Sequence, residues 1–186
     1  GINLSLQTLD VYIDKDPGKA TGNRLLLPGR NASLVAGDGW DIAVWAEGWN
    51  YGIYAPDAAT GDPKQLNLSY KIIVDPALQT VTLRVPKEAL GEGDPANWGY
   101  AAVVLSQDGF PSTGVWRVRD VQETAAQWKI GGGTKGNNQT RILDIAWPAD
   151  GNGTQEDILG TFNQSAGSDG AANADDFAQI PLLLVK

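Results

Sequence analysis

The sequence predicts an all-β sandwich with one or two short helices. Three observations support this fold class. Apolar and polar residues alternate with a period of two in several short segments, turn residues separate those segments, and few stretches have helical periodicity. With 186 residues, the chain is long enough to bury a substantial core. We interpret residues 1–186 as a single domain.

The predicted strands are short and lie between glycine-rich loops. Residues 79–86 give the clearest alternation, with Val81, Leu83 and Val85 on an apolar face and polar residues on the opposite, solvent-facing side. Residues 100–105 are continuously apolar, which is typical of a strand covered on both faces. Residues 177–185 form a closing strand in which Pro181 suits an edge or a bulge. Residues 6–14 and 70–74 complete the predicted set.

Two segments have helical signals. Residues 120–129 begin with Asp120 and Glu123 at capping-box spacing and end before Gly131, a helix of about two turns. Residues 154–162 begin with a polar cap and place Ile158, Leu159 and Phe162 at helical spacing. Both predicted helices are additions to a β core.

Composition and charge exclude several classes of function. The net charge is −8 and the pI is near 4.4, a balance that repels nucleic acids and anionic membranes. No apolar run reaches the roughly 20 residues of a membrane-spanning helix, so we expect no membrane insertion. Without cysteine, the chain has no thiol nucleophile. Without histidine or cysteine, it also lacks the ligands of most zinc sites. We therefore expect a module that is not an enzyme.

Aromatic residues concentrate between Gly39 and Tyr54. In an extended strand, alternate side chains share a face, so residues 42, 44 and 46 form the core face and the opposite face carries aromatic rings between carboxylates. Aromatic rings stack on sugars, and carboxylates accept hydrogen bonds from sugar hydroxyls. The predicted carbohydrate-binding residues are Trp45, Glu47, Trp49 and Tyr51. Two alternatives remain open: a bulge at Gly48 would reverse the faces of Trp49 and Tyr51, and core packing also uses tryptophan and tyrosine.

A second aromatic segment contains Trp116, Arg117 and Arg119. It offers an alternative binding platform, because guanidinium groups bond hydroxyls and stack on rings. The pattern favours packing instead, with the arginines pairing with acids while Trp116 and Val118 pack. Three further tryptophans beside apolar runs or turn glycines are predicted core residues: Trp98, Trp128 and Trp147.

Acidic loops raise the question of a cation. Asp14 and Asp16 directly follow a predicted strand and are the candidate ligands for a calcium ion, which takes 6 to 8 oxygen ligands. Residues 150–154 and 169–176 also carry closely spaced oxygen donors. In each loop, capping of turns by short polar side chains is the competing interpretation.

Ordered motifs along the chain carry a family resemblance: LQTLDVYID at 6–14, RLLLPGRN at 24–31, GWD at 39–41, WGY at 98–100, SQDG at 106–109, GVWRVR at 114–119, WKIGGG at 128–133 and LD at 143–144. In this order they resemble the C-terminal module of glucodextranase, a module also found at the C-terminus of amylopullulanases. The resemblance implies a jelly-roll-like β-sandwich of the carbohydrate-binding-module type, related to surface-layer anchoring regions.

The resemblance also implies a role. We expect a non-catalytic accessory module of an exported, extracellular or cell-surface enzyme that degrades α-glucan, with α-glucan or another polysaccharide and the parent catalytic domain as partners. The alternative is a structural module that anchors its parent to the cell envelope or packs on the catalytic domain. Members of this family usually have a β segment ahead of the LQTLDVYID motif. If the first strands are missing, the sandwich should have an exposed edge.

Overall fold

The computed structural model describes residues 4–108, 116–134, 138–147 and 153–185. The strands within these ranges are β1 (Gln7–Asp14), β2 (Ala32–Leu34), β3 (Ile42–Glu47), β4 (Tyr51–Pro56), β5 (Pro63–Gln65), β6 (Lys71–Asp75), β7 (Thr80–Arg84), β8 (Gly99–Ser106), β9 (Asp120–Val121), β10 (Lys129–Ile130), β11 (Ile142–Ile145), β12 (Ala178–Ile180) and β13 (Leu183–Leu184). The α-helices are α1 (Lys87–Leu90) and α2 (Gln155–Leu159), and Pro95–Asn97 and Ala174–Asp176 form 3-10 turns.

One antiparallel sheet dominates the fold, in the order β11-β8-β1-β3-β4-β5, with β13 also paired to β8. Strand β1 lies at its centre, where Val11 is opposite Val44 of β3 and Ala102 of β8. Smaller pairs surround this sheet: β6 with β7 antiparallel, and β2 with β12 and β9 with β10 parallel. The predicted all-β class is confirmed.

Apolar side chains cover both faces of the main sheet, which makes the fold sandwich-like. On the first face, Tyr12, Ala43 and Val103 belong to a cluster that includes Leu34 of β2 and Ile180 of β12. On the second face, Ile13, Val44 and Ile53 belong to a cluster with Tyr70, against which residues of β6, β7 and α1 pack. The two faces therefore have different covers.

The predicted strand at 100–105 forms β8, but its two faces are not equally covered. Ala101, Val103 and Leu105 are fully buried on the first face, whereas Ala102 and Val104 are half-buried on the second. The second face has a thinner cover because β6 and β7 form only a two-stranded sheet. Complete burial of both faces of this segment was therefore a wrong prediction.

The predicted helix at 120–129 is wrong. Asp120 and Val121 instead pair in parallel with Lys129 and Ile130. The Asp120 carboxylate accepts hydrogen bonds from the Lys129 ammonium at 2.9 Å and the Arg141 guanidinium at 3.1 Å. Trp128 has a φ of 65°, outside the helical region. The Asp120 carboxylate thus binds two distant cations instead of capping a helix, which was the role that the sequence indicated.

The predicted helix at 154–162 is confirmed as α2, but it ends at Leu159, so Phe162 lies beyond it. Thr154 is its N-cap and forms a capping box with Asp157, whose amide donates to the Thr154 hydroxyl at 3.2 Å. The predicted closing strand at 177–185 divides into β12 and β13 around Pro181. Pro181 has no amide hydrogen for a ladder, so the chain changes partner there, from β2 to β8.

Candidate functional site

The hairpin of β3 and β4 carries the aromatic segment. Ala46 is opposite Tyr51, and Gly48, Trp49 and Asn50 form the turn, closed by the Glu47 amide donating to the Asn50 carbonyl at 2.9 Å. A Cβ atom on Gly48 would lie 2.5 Å from the Ser5 carbonyl oxygen, so only glycine fits this close approach. The turn therefore lies directly against the segment that precedes β1.

Trp45 does not stand outward as the alternation predicted. It is only 8% exposed, and its ring lies 6.3 Å from the rings of both Tyr54 and Trp116. Residues Trp116 and Arg117 have φ values of 48° and 62°, and this left-handed turn carries Trp116 onto the face that holds Trp45. The prediction that Trp45 is exposed is wrong because a distant segment covers it.

Glu47 is also buried, with no exposed surface. Its Oε1 atom lies 2.7 Å from Nε of Arg117 and accepts a hydrogen bond from the Asn50 side-chain amide at 2.8 Å. A carboxylate in this environment is compensated from within the protein. The predicted exposure of Glu47 is wrong, and the residue supports the hairpin and the Arg117 turn.

Trp49 and Tyr51 do face solvent, with 58% and 41% of their surfaces exposed. Tyr51 is oriented by an edge-to-face contact with Tyr70, at 5.2 Å between ring centroids. Tyr70 is itself anchored, because its hydroxyl donates to the Trp45 carbonyl at 2.6 Å. Burial raises the pKa of Tyr70 well above its ordinary value, so this hydroxyl remains a donor.

Trp49, Asn50 and Tyr51 together form what we call the hairpin-tip surface. It offers two aromatic side chains, and the exposed Asn50 lies between them in the sequence. Such a surface can stack on apolar ring faces. Of the four predicted carbohydrate-binding residues, the structure places Trp49 and Tyr51 here, whereas Trp45 and Glu47 are buried. Tyr51 is opposite Ala46, so it lies on the other face of the sheet from Trp45, as the alternative with a reversed face allowed. The role of these four residues in sugar binding stays a prediction.

A second candidate site lies at the far end of β1. One carboxylate oxygen from each of Asp14, Asp16 and Asp41 lies within 4.8 Å of the other two. Asp14 is buried, and its carboxylate accepts hydrogen bonds from the Asp16 amide at 2.9 Å and the Gly39 amide at 3.0 Å. Asp41 accepts one from the Lys15 amide at 2.8 Å. Burial raises the pKa of Asp14.

This group, which we call the carboxylate cluster, has the oxygen donors that calcium prefers. The sequence interpretation named Asp14 and Asp16 but placed Asp41 on the aromatic face. The missing signal was strand pairing: Ile13 is opposite Ile42, which brings the next residue of β1 and the residue before β3 together. Of the other acidic loops, residues 150–152 lie outside the described residues.

The remaining aromatic predictions have mixed outcomes. Trp98 is a buried core residue as predicted, and Trp147 packs partly buried against the core. Trp116 and Val118 pack and Arg117 pairs with an acid, as the packing interpretation predicted. Arg119, for which the same pairing was predicted, instead donates to the Gln107 carbonyl at 2.9 Å. The prediction of Trp128 as a core residue is wrong, because it is only half-buried and belongs to neither core cluster. The Arg119 guanidinium lies 5.2 Å from its ring centroid.

The comparisons with known proteins place the chain in a family. Within the described residues, no helix is long and apolar enough to cross a membrane. A comparison with curated proteins finds no significant match. One family model, described as the C-terminal binding module, SLH-like, of glucodextranase, matches residues 1–172. Because this match covers most of the chain and confirms the resemblance in the sequence motifs, the protein belongs to the family of SLH-like C-terminal binding modules of glucodextranase.

Proposed function

We propose that this accessory binding module holds α-glucan, or a related polysaccharide, on the hairpin-tip surface through Trp49 and Tyr51. The parent protein in this proposal is an exported or cell-surface enzyme that degrades α-glucan, of the glucodextranase or amylopullulanase type. The module supplies attachment to the polymer, and the catalytic domain of the parent supplies the chemistry. Family membership supports a binding role, and the hairpin tip supplies a suitable surface.

The observation that carries this proposal is the exposure of two neighbouring aromatic side chains on a supported turn. Exposed rings lose little conformational freedom on binding when their orientation is already set. Tyr51 is set by Tyr70, and the backbone that carries Trp49 is set by the close approach of Gly48 to Ser5. A sugar ring can therefore stack without reorganising the hairpin.

Titration with maltooligosaccharides, followed by tryptophan fluorescence and by affinity electrophoresis on soluble glucan, tests the proposal. We expect saturable fluorescence changes that Trp49→Ala abolishes, with retention on glucan lost. Tyr51→Ala should weaken binding about tenfold, the effect of losing one stacking contact of about 1.4 kcal/mol. Leu78→Ala is the matched control, because Leu78 is 71% exposed on the turn of another hairpin. Unchanged retention in Trp49→Ala would contradict the proposal.

A structural role is the second candidate function. In that case the module anchors its parent to the cell envelope or packs on the catalytic domain, and the half-covered second face of the main sheet favours it. The same electrophoresis separates the two candidates. A structural module would show no retention on soluble glucan in any variant. An anchoring module would co-sediment with cell-envelope preparations whether or not Trp49 is present.

We also propose that the carboxylate cluster binds calcium. Three carboxylates supply part of the 6 to 8 oxygen ligands, and water or backbone carbonyls supply the rest. Binding to the folded state alone raises stability by mass action. Added calcium should raise the Tm, a chelator should reverse the rise, and Asp41→Asn should abolish it. Asp62→Asn, a change at an exposed loop position, is the control. A Tm that calcium leaves unchanged would remove this proposal.

A further inference from the structure

An apolar groove runs beside β7 on the second face of the main sheet. Its volume is about 680 Å³, and its floor is formed by Leu9, Val11 and Ile13 of β1 with Val44 of β3 and Ala102 of β8. Its wall consists of Val81, Leu83, Arg84, Val85 and Leu90. No residue of β6 lines the groove. The opening is therefore on the side of β7 that faces away from its partner strand.

Strand β7 has a free edge along this groove. Among residues 4–108, 116–134, 138–147 and 153–185, β7 pairs with β6 alone. A strand edge presents backbone amide and carbonyl groups that are suited to pairing with another strand. A two-stranded sheet is also marginal by itself and gains stability from a third strand. The backbone geometry thus specifies an extended polypeptide rather than a compact small molecule.

The side chains along the groove match one face of such a strand. Leu9 and Val11 are only half-buried, although Thr8 and Asp10 on the opposite face of β1 are fully buried. Val81 is 40% exposed, although it shares a strand face with Leu83 of the second core. An incoming strand with apolar residues at alternate positions would cover these side chains.

Charge at the groove distinguishes between possible occupants. Arg84 borders the groove and is directly opposite Lys71 of β6, and within the described part of the chain neither residue forms an ion pair. A second copy of this chain, paired edge to edge through β7, would bring a second Arg84 to the same sheet. A carboxylate on the incoming strand would instead complement Arg84.

We propose that an extended segment of a partner polypeptide docks beside β7 as a third strand of that sheet. Its alternate apolar side chains fill the groove, and a carboxylate on its other face lies next to Arg84. This proposal goes beyond polysaccharide binding and is independent of it, because the groove and the hairpin-tip surface share no residue.

Fluorescence anisotropy with a labelled synthetic peptide tests this docking. The peptide has about eight residues, alternating valine and threonine, with one glutamate among the threonine positions. We expect saturable binding to the 186-residue chain. N-methylation of alternate backbone nitrogens should abolish binding for one set of positions and spare the other, since only one edge of the peptide faces β7. Equal effects of both sets would overturn the proposal in favour of a non-specific apolar site.

Two variants test the side-chain contacts. Arg84→Glu should weaken binding of the glutamate peptide about fivefold. It should strengthen binding of a second peptide that has lysine in place of the glutamate. Val81→Asp should weaken both peptides by about tenfold or more, because it places a charge in the groove. Lys64→Glu, a charge reversal on the distant strand β5, should leave the affinity unchanged. If sedimentation shows a dimer that Val81→Asp disrupts, the occupant is a second copy and the proposal is wrong.

Discussion

At the residue scale, the buried ion pair of Asp10 and Arg30 is the central polar feature of the first core. The Arg30 guanidinium donates to the two Asp10 oxygens at 2.7 Å and 3.0 Å, and both side chains are fully enclosed. Tyr12 donates to the same carboxylate at 2.9 Å. Burial opposes the charge on Arg30, but the Asp10 carboxylate raises its pKa overall. Two charges are therefore satisfied inside a largely apolar cluster.

The first prediction concerns the loss of one partner of this pair. Arg30→Met should lower the free energy of unfolding by about 3–5 kcal/mol, because it leaves the Asp10 charge buried without compensation. Urea unfolding followed by tryptophan fluorescence measures the change. The matched control is Lys64→Met, which removes an exposed pair with Asp57 and should cost about 1 kcal/mol or less. If both variants lost the same free energy of unfolding, the buried pair would contribute no more to stability than the exposed pair, contrary to the prediction.

The second prediction concerns the pH dependence that Asp14 contributes. Burial, the largest cause, raises its pKa above the ordinary value of 3.8, and the Asp41 and Asp38 charges add to the rise. The folded state therefore holds this proton more tightly than the unfolded chain. Its stabilising contribution is full below pH 3.8 and is lost as the pH rises through the raised pKa.

Urea unfolding of the wild type and of Asp14→Asn, in chelator from about pH 4 to pH 7, checks this sign. We expect the wild type to lose stability relative to the variant as the pH increases. A relative gain would mean that ionised Asp14 is favoured in the folded state, contrary to the dominant effect of burial. Chelator keeps this measurement separate from the proposed binding of calcium.

At the element scale, the strands differ greatly in how well they are supported. Strands β1 and β8 pair along eight consecutive positions, and each has a fully buried face. The β6–β7 hairpin pairs only with itself within the described residues, and most of β7 is exposed. Its attachment rests on apolar residues such as Ile72 and Leu83, which pack on the second core.

The third prediction follows from this difference. Amide hydrogen exchange should be faster throughout β6 and β7 than in β1 and β8, since exposed hydrogen bonds with few buried contacts open locally at low free energy. Mass spectrometry of peptides covering the two pairs of strands measures it directly. If the hairpin exchanged as slowly as the main sheet, the hairpin would belong to the same cooperative unit, and the free edge of β7 would lose its significance.

At the scale of the whole molecule, the two layers of the sandwich are unequal. The first face of the main sheet is closed by β2, β12 and the segment that precedes β2, whereas the second face is covered by β6, β7 and α1. This inequality creates the apolar groove. The proposed ligand sites lie elsewhere, at the tip of the β3–β4 hairpin and at the end of β1, so the molecule has three separate candidate surfaces.

Prediction from the sequence succeeded where local patterns decide the structure. Alternation correctly indicated the strands around Val11 and Val81, a continuous apolar run correctly indicated the strand around Val103, and the polar cap at Thr154 correctly indicated α2. The prediction failed for Trp45 and Glu47 because alternation assigns a side chain to a face but does not show what covers that face. It failed for Asp120 because distant cations engaged the carboxylate that a helix cap would have used.

By itself, the sequence determined the all-β class, most strand positions and the family, because backbone periodicity and ordered motifs are local properties of the chain. Only the tertiary structure decided which aromatic residues meet solvent. It placed Trp116 and Arg117 over Trp45 and Glu47, left Trp49 and Tyr51 uncovered, and brought Asp41 to Asp14. The physical reason is that burial depends on contacts between segments far apart in the chain, and no local pattern encodes those contacts.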